Sequence, residues 1–229
     1  MNIRILELIE GAKQARGLTV IIDVFRAMTV EAYVIANGAA DLIPMGSLDE
    51  AYAYRQCHPG TILIGERDGK KCPGFDFGNS PSAVKDYDFT GKTVVHTTSA
   101  GTQGVANATA ASEILTGSLV NAKAIAEYIK TSGAEDVSLV CMGLAGVEST
   151  QEDTLCAEYI KALVEGISID LQSGIEVCKC TSGAKFFDPT DTVFPEEDFW
   201  LSVEADKFDF VLHVEQGEDG LMHTVRKKS

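Results

Sequence analysis

Thr19-Val-Ile-Ile-Asp23, then Thr29-Val-Glu-Ala-Tyr-Val-Ile-Ala-Asn37 and Gly38, is the stretch on which the fold turns. The first segment is a β-branched run of strand length ending in an acid. The second has the length of a helix, and Gly38 stops it. A strand feeding a helix through a short polar turn is half of a crossover unit, and such units recur along the chain. Residues 40–45 read as a short strand whose end or edge position is marked by Pro44. Ser47-Leu-Asp-Glu50 matches a capping box ahead of the helical residues 51–55. Residues 61–64 and 92–97 are further strands, 104–110 looks helical, and Asn121 is a plausible N-cap for a helix over 122–130. Residues 137–141 form another strand, and a second capping-box pattern, Ser149-Thr-Gln-Glu152, opens a helix reaching about Val164.

Strands alternating with helices imply crossover connections, so the expected fold class is α/β. Its architecture is a three-layer α/β/α with a largely parallel or mixed sheet. After Gly166 the pattern changes. Phe186-Phe187 precede Asp188-Pro189, and Pro195-Glu-Glu-Asp198 starts a helix containing Trp200. Residues 208–214 alternate like a strand, Gly217-Glu-Asp-Gly220 is a turn, and residues 221–225 return antiparallel. That predicts an antiparallel edge near the C-terminus. A single domain over residues 1–229, or two closely packed halves, fits the length.

The 34 acidic and 19 basic side chains give a formal charge of −15. Such a chain repels phosphate backbones and anionic lipid, so neither nucleic acid nor a membrane is an expected partner. No apolar run approaches the ~18–20 residues of a membrane span, and the N-terminus carries acids where a signal peptide keeps an apolar core. The expected location is cytoplasmic, and a homodimer is the default for a compact α/β enzyme. The six cysteines form no CxxC pair, and they read as reduced, mostly structural thiols.

Ligands in open α/β sheets collect beyond the carboxyl ends of the strands. One such end carries Asp23 and Arg26, another Glu66 and Arg67, and a third Thr97, Thr98, Ser99, Gly101 and Thr102. A fourth leads to Glu152 and Asp153, and the loop Gly74-Phe-Asp-Phe-Gly-Asn-Ser-Pro81 adds Asp76, Asn79 and Ser80. Together these bring carboxylates, two arginines, hydroxyls and backbone N–H groups to one sheet edge. The mixture suits a small anionic phosphorylated substrate held with Mg²⁺. Asp23, Glu152 and Asp153 are hard oxygen ligands, and the Arg26 and Arg67 forks match phosphate or sulfonate. The threonine-rich loop resembles an anion cradle.

Each residue also has a plainer reading. Asp23 caps the helix after its strand, Glu152 fills the third position of a capping box, and Asp153 suits the first-turn macrodipole. Arg67 pairs with Glu66 at the surface, Asn79-Ser-Pro81 initiates a turn, and Thr97–Thr102 is only a polar turn. His96, Trp200 and the Phe186-Phe187 pair read as core. Several enzyme classes lose support outright. Phe25 stands where an aspartyl-phosphatase signature needs its second acid, and no phosphocysteine loop, RHG triplet, GxGxxG, GxxxxGK[ST] or GxSxG motif is present.

The order of motifs carries more than any one of them. Val20-Ile-Ile-Asp-Val-Phe-Arg-Ala-Met-Thr29, Gly65-Glu-Arg67, Gly74–Pro81, Thr97-Thr-Ser-Ala-Gly-Thr102, and Glu152-Asp153 with Cys156-Ala157 occur in that sequence. The set closely resembles the 2-phosphosulfolactate phosphatase (ComB) family, over roughly residues 18–165, with a weaker echo in Phe208-Asp-Phe-Val211. The resemblance implies a Mg²⁺-dependent phosphatase of three-layer α/β/α fold. Its named reaction removes phosphate from 2-phospho-3-sulfolactate in the coenzyme M pathway. One departure stands out: relatives often continue the hydroxyl loop as Asn-Gly-Thr-Arg, where this chain has Ala100-Gly-Thr-Gln103. One cation is missing there, which weakens the sulfonate preference more than the phosphatase assignment.

On this reading Asp23, with Glu152 or Asp153, holds Mg²⁺ against a phosphate oxygen. Arg26 and Arg67 neutralise the transferring phosphoryl group, and the two polar loops hold the sulfonate and carboxylate ends. Attack by water and attack by Asp23 itself both remain open, with water favoured by the missing second acid. The rival from another class is a non-catalytic small-anion binding protein using the same cradle.

Overall fold

The computed structural model describes residues 1–228. The first units are β1 (Asn2–Glu7), α1 (Leu8–Gln14), β2 (Gly17–Ile22) and α2 (Ala27–Ala36). They are followed by β3 (Asp41–Pro44), α3 (Leu48–Cys57), β4 (Ile62–Arg67) and the two-residue β5 (Lys70–Lys71). Next come α4 (Pro81–Val84), β6 (Thr93–Thr97), α5 (Gly101–Asn107) and β7 (Ala111–Gly117). The chain continues through α6 (Ala122–Ser132), β8 (Asp136–Cys141), α7 (Gln151–Glu165) and α8 (Leu171–Cys180). It closes with α9 (Glu196–Ser202), β9 (Phe210–Gln216) and β10 (Met222–Lys228).

Among the described residues ten strands form one sheet in the order β1-β8-β2-β7-β9-β10-β3-β6-β4-β5. Two parallel blocks, β1-β8-β2-β7 and β3-β6-β4, flank the antiparallel hairpin β9–β10. The mixed α/β sheet matches the expectation, and so does the antiparallel pairing near the C-terminus. The hairpin lies inside the sheet, however, bonded to β7 on one side and β3 on the other. Its sequence explains why: Phe210, Val211, Leu212 and Val214 bury side chains of both parities, as a strand covered on two faces must.

Three successive antiparallel pairings separate the blocks (β7 with β9, β9 with β10, β10 with β3), so the blocks run in opposite directions. The helices reconcile them. From β2, α2 carries the chain to the second block and packs Val30, Tyr33 and Val34 on Leu42, Ile62, Ile64 and Val94. From β6, α5 carries it back, packing Val105 and Ala108 with Ile21 and Val140 of the first block. Residues beyond the carboxyl ends of β2 and β6 nonetheless share one cavity with Glu66 near the end of β4. The expected single edge is thus two edges sharing a cavity.

Both faces are covered. Leu18, Val20 and Ile22 of β2 join a cluster with α6 and α7, while Ile21 faces the cluster of α1 and α5. In the second block Ile43, Leu63 and Val95 pack under α3, opposite the α2 side. No helix is long and apolar enough to cross a membrane among the described residues. All six cysteines are unbridged, and burial pushes the Cys141 and Cys156 thiols up, away from the reactive thiolate. Phe186 is core as read, whereas Trp200 keeps 43% of its surface exposed and donates Nε1–H to Glu196. Ser47 caps α3 through the Glu50 N–H, but Ser149 does not cap α7. Its hydroxyl donates instead to Glu7 at the end of β1, which leaves Glu152 without a capping role.

Candidate active site

A cavity of about 440 Å³ opens where the two blocks meet. Its lining includes Asp23 and Arg26 beyond β2, Glu66 at the end of β4, Ser99 beyond β6 and Gly143 beyond β8. Asn79 from the loop after β5 completes one side, and Lys185 with Phe194 forms the wall supplied by the segment between α8 and α9.

Asp23 is buried, and its Oδ1 accepts the Ala27 N–H at 3.0 Å, so the capping reading holds for that oxygen. Its Oδ2 takes no hydrogen bond from any described residue and borders Gly101. Burial pushes the carboxyl up from 3.8 to about 6, the nearby Glu66 and Glu152 adding to it, against the opposing pull of the Ala27 amide. Gly101 is a glycine because the start of α5 meets the start of α2 here. A Cβ would lie 2.8 Å from Ala27 Cβ and 3.0 Å from Asp23 Oδ2. Gly101→Ala is therefore expected to cost about 1–3 kcal/mol in urea unfolding through overpacking. Activity should fall more than stability, because the displaced atom is Asp23 Oδ2.

Glu66 faces the cavity and organises its floor. Oε2 accepts the Gly69 N–H at 2.8 Å and Oε1 the Ser99 N–H at 2.7 Å, which joins the β4 and β6 loops. Arg67, one residue on, projects elsewhere and is not among the cavity's lining residues. Its guanidinium donates to the Glu66 and Gly46 carbonyls and to Thr97 Oγ1. Arg26 lines the cavity but is committed: Nη1 donates to Asp198 at 2.7 Å and to the Val193 carbonyl, and Nη2 to the Gly69 carbonyl. Phe194 stacks on it, with the guanidinium carbon 4.6 Å from the ring centre.

The hydroxyl loop is largely self-braced. The Thr98 N–H donates to Thr102 Oγ1 and the Thr102 N–H to Thr98 Oγ1, so both hydroxyls close the turn before α5. Ser99 and Ala100 alone of this loop reach the cavity wall. Of the Gly74–Pro81 loop, Asp76 is tied to the Leu63 N–H and to Arg55, outside the cavity. Ser80 donates to Asp198. Asn79 does reach the cavity, its Oδ1 lying 3.3 Å from His96 Nε2.

Behind Asn79 lies a network that the sequence did not disclose. His96 Nδ1 sits 3.1 Å from Glu31 Oε1, whose other oxygen accepts from Thr116 at 3.0 Å, and Glu31 and His96 are both buried. Helix α2 is buried all round, so its lone acid had to find a partner. That was the missed signal. Asp198 and Lys185 were missed as well.

Asp153 accepts the Val24 and Gly143 N–H groups, each at 2.8 Å, and so clamps the β2 and β8 loops together. Burial, with Glu152 and Asp23 nearby, pushes its carboxyl well up. Glu152 is also pushed up, burial being the main cause, and its Oε2 is buried without a hydrogen-bond partner. Among the described residues no three Asp, Glu, His or Cys side chains stand close enough to grip a metal by themselves. Mg²⁺ commonly takes one or two carboxylates, with water and substrate phosphate filling its octahedron. The unshared Asp23 Oδ2 and the orphaned Glu152 Oε2 fit that weaker requirement; Asp153, with both oxygens occupied, fits it less well.

The profile of the 2-phosphosulpholactate phosphatase family matches residues 3–216. The chain belongs to that family. Among its relatives, a protein of Bacillus subtilis (strain 168) is 33% identical over 212 residues, covering 92% of this chain and 91% of the relative. A protein of Carboxydothermus hydrogenoformans is 36% identical over 172 residues, 75% of this chain and 71% of the relative. One of Caldicellulosiruptor saccharolyticus reaches 41% over 146 residues, 61% of this chain and 59% of the relative. All three are named probable 2-phosphosulfolactate phosphatase. The family match covers both parallel blocks and β9, hence every element that lines the cavity.

Proposed function

We propose that this chain is a Mg²⁺-dependent phosphatase that hydrolyses the phosphate ester of a small, multiply charged hydroxy acid, namely 2-phospho-3-sulfolactate. The observation that carries this reading is the convergence of Asp23, Glu66, Asn79 and Ser99 on one cavity in a chain whose family match spans it.

Asp23 is the reacting carboxylate. Its Oδ1 is anchored by the Ala27 amide, which leaves Oδ2 as the oxygen that would hold the metal. Phe25, packed edge-on against Phe186, occupies the place of the second acid that a phosphoaspartate route would use. Single turnover of an ester made chiral at phosphorus should therefore invert configuration, as one in-line displacement by water must. Net retention, the result of two displacements through an aspartyl phosphate, would establish the covalent route instead.

A bound Mg²⁺ would supply charge neutralisation at the phosphoryl oxygens and a more acidic water. Asp23 would hold it, backed by Glu152. Glu66 and Asp153 act through the backbone: one fixes the Gly69 and Ser99 amides, the other the Val24 and Gly143 amides. Arg26 and Arg67 brace the loops that carry these groups.

The deciding measurement is phosphate release from a panel of phosphorylated hydroxy acids, with and without EDTA. Release is expected with Mg²⁺, lost in EDTA and restored by added metal. Tight retention of the esters without release would replace this reading with that of an anion-binding protein.

A further inference from the structure

We propose that Lys185 is the cation that receives an oxyanion of the bound substrate. The proposal rests on the phosphatase reading for the identity of that anion, but not for the existence of the site.

Lys185 belongs to a short 3-10 turn, Ala184–Phe187, and lines the same cavity as Asp23, Glu66 and Asn79. Its Nζ lies 4.7 Å from the centre of the Phe194 ring and 5.6 Å from that of Phe186. Two aromatic faces therefore flank the ammonium of this half-buried side chain. Among the described residues no carboxylate oxygen comes within the 4.0 Å of an ion pair. A partly desolvated ammonium that touches no carboxylate is costly, and a bound anion in contact with it lowers the cost. Burial pushes the Lys185 pKa down, against the opposing pull of Glu152 and, more weakly, Asp23 and Asp153.

Charge accounting around the cavity leads to the same residue. Asp23, Glu66 and Asp68 contribute negative walls, while the charge of Arg26 is cancelled by Asp198 at 2.7 Å. Arg67 lies outside. A multiply charged anion entering this space meets at Lys185 a positive charge that no contacting carboxylate cancels, with Glu152 as its nearest counter-charge.

The test compares the full-length wild type with Lys185→Met and Lys185→Arg. Isothermal titration with inorganic phosphate, the reaction product, reads anion binding directly, and steady-state kinetics read turnover. A charge-assisted hydrogen bond of ordinary strength is worth about 10- to 100-fold. Lys185→Met should weaken phosphate binding by that factor and flatten its salt dependence, while Lys185→Arg stays within about threefold of wild type. kcat/KM should fall in parallel. A loss confined to KM assigns Nζ to the non-transferred end of the acid, and a loss in kcat assigns it to the phosphoryl group; both support the site. Unchanged phosphate binding in Lys185→Met would overturn it, as would a loss that Lys185→Arg does not rescue. The two readings fail separately. If wild type binds phosphate through Lys185 but hydrolyses no ester, the phosphatase reading falls and the anion site stands. If wild type and Lys185→Met hydrolyse equally well, the reverse holds.

Discussion

Asp23→Asn is expected to abolish phosphate release and, in EDTA, to make the fold more stable by about 3 kcal/mol at pH 7.5. The sign follows from the direction of the shift. Burial raises the Asp23 carboxyl from 3.8 to about 6, so the folded chain holds its proton more tightly than the unfolded chain does. For such a group, stability is greatest below the unfolded value and falls as pH rises towards the folded one. A tenfold difference in proton affinity is worth about 1.4 kcal/mol, which gives the figure of about 3. Asparagine keeps an Oδ1 that accepts from Ala27 and removes the charge that Glu66 and Glu152 oppose. Urea unfolding at pH 4 and pH 7.5 checks the prediction. The stability gap between variant and wild type should open between those values and be nearly absent at the lower one. A flat gap would show that Asp23 is not a disfavoured carboxylate, and retained turnover would show that it is not the reacting one. Added Mg²⁺ provides a further contrast, since a ligand that binds only the folded state stabilises it by mass action. Wild type should gain stability with metal, and Asp23→Asn should gain much less.

The pattern of what the sequence disclosed follows from the range of the interactions. Asp23, Glu66, Asn79 and Ser99 were legible because each follows an apolar run or a turn motif within a few residues. Strand ends in α/β folds are where ligands gather. What the arginines do was not legible. Arg26 reads locally as a free cation, but its partner Asp198 lies 172 positions further along the chain. Asp153 reads as a first-turn acid on α7, but it caps an amide 129 positions away in the β2 loop. Thr98 and Thr102 look like open hydroxyls until their mutual bonds are seen. The hairpin position was obscured for a related reason. Alternation over 208–214 suggests a half-buried strand, and only the burial of Val211 between Phe210 and Leu212 marks it as interior. The opposed directions of the two blocks follow from that placement. That residues beyond both sets of carboxyl ends share one cavity is encoded by no local pattern.

Asp198→Ala should be the most destabilising single change near the cavity, costing about 3–5 kcal/mol, because it strands a buried guanidinium. Asp198 is fully buried on α9 and accepts from Arg26 Nη1 at 2.7 Å, Ser80 Oγ at 2.9 Å, and the Ser82 N–H and Oγ at 2.9 and 2.5 Å. One carboxylate thus ties the β2 loop to the loop that presents Asn79. Removing both charges is a different matter from removing one. In Arg26→Met/Asp198→Ala the buried guanidinium charge is gone, and an apolar chain can still pack on Phe194 and Phe186. That double variant should therefore be more stable than Asp198→Ala alone, even though it carries one more substitution. Turnover should recover much less than stability, because Ser80 and Ser82 still lack their acceptor and Asn79 loses its fixed position. Urea unfolding and phosphate release on the three variants separate the two effects. A cost below about 1 kcal/mol for Asp198→Ala would mean that the pair is not what joins these loops. Full recovery of turnover in the double variant would mean that the charge itself, rather than the tether to Ser80 and Ser82, is what the site requires of Asp198.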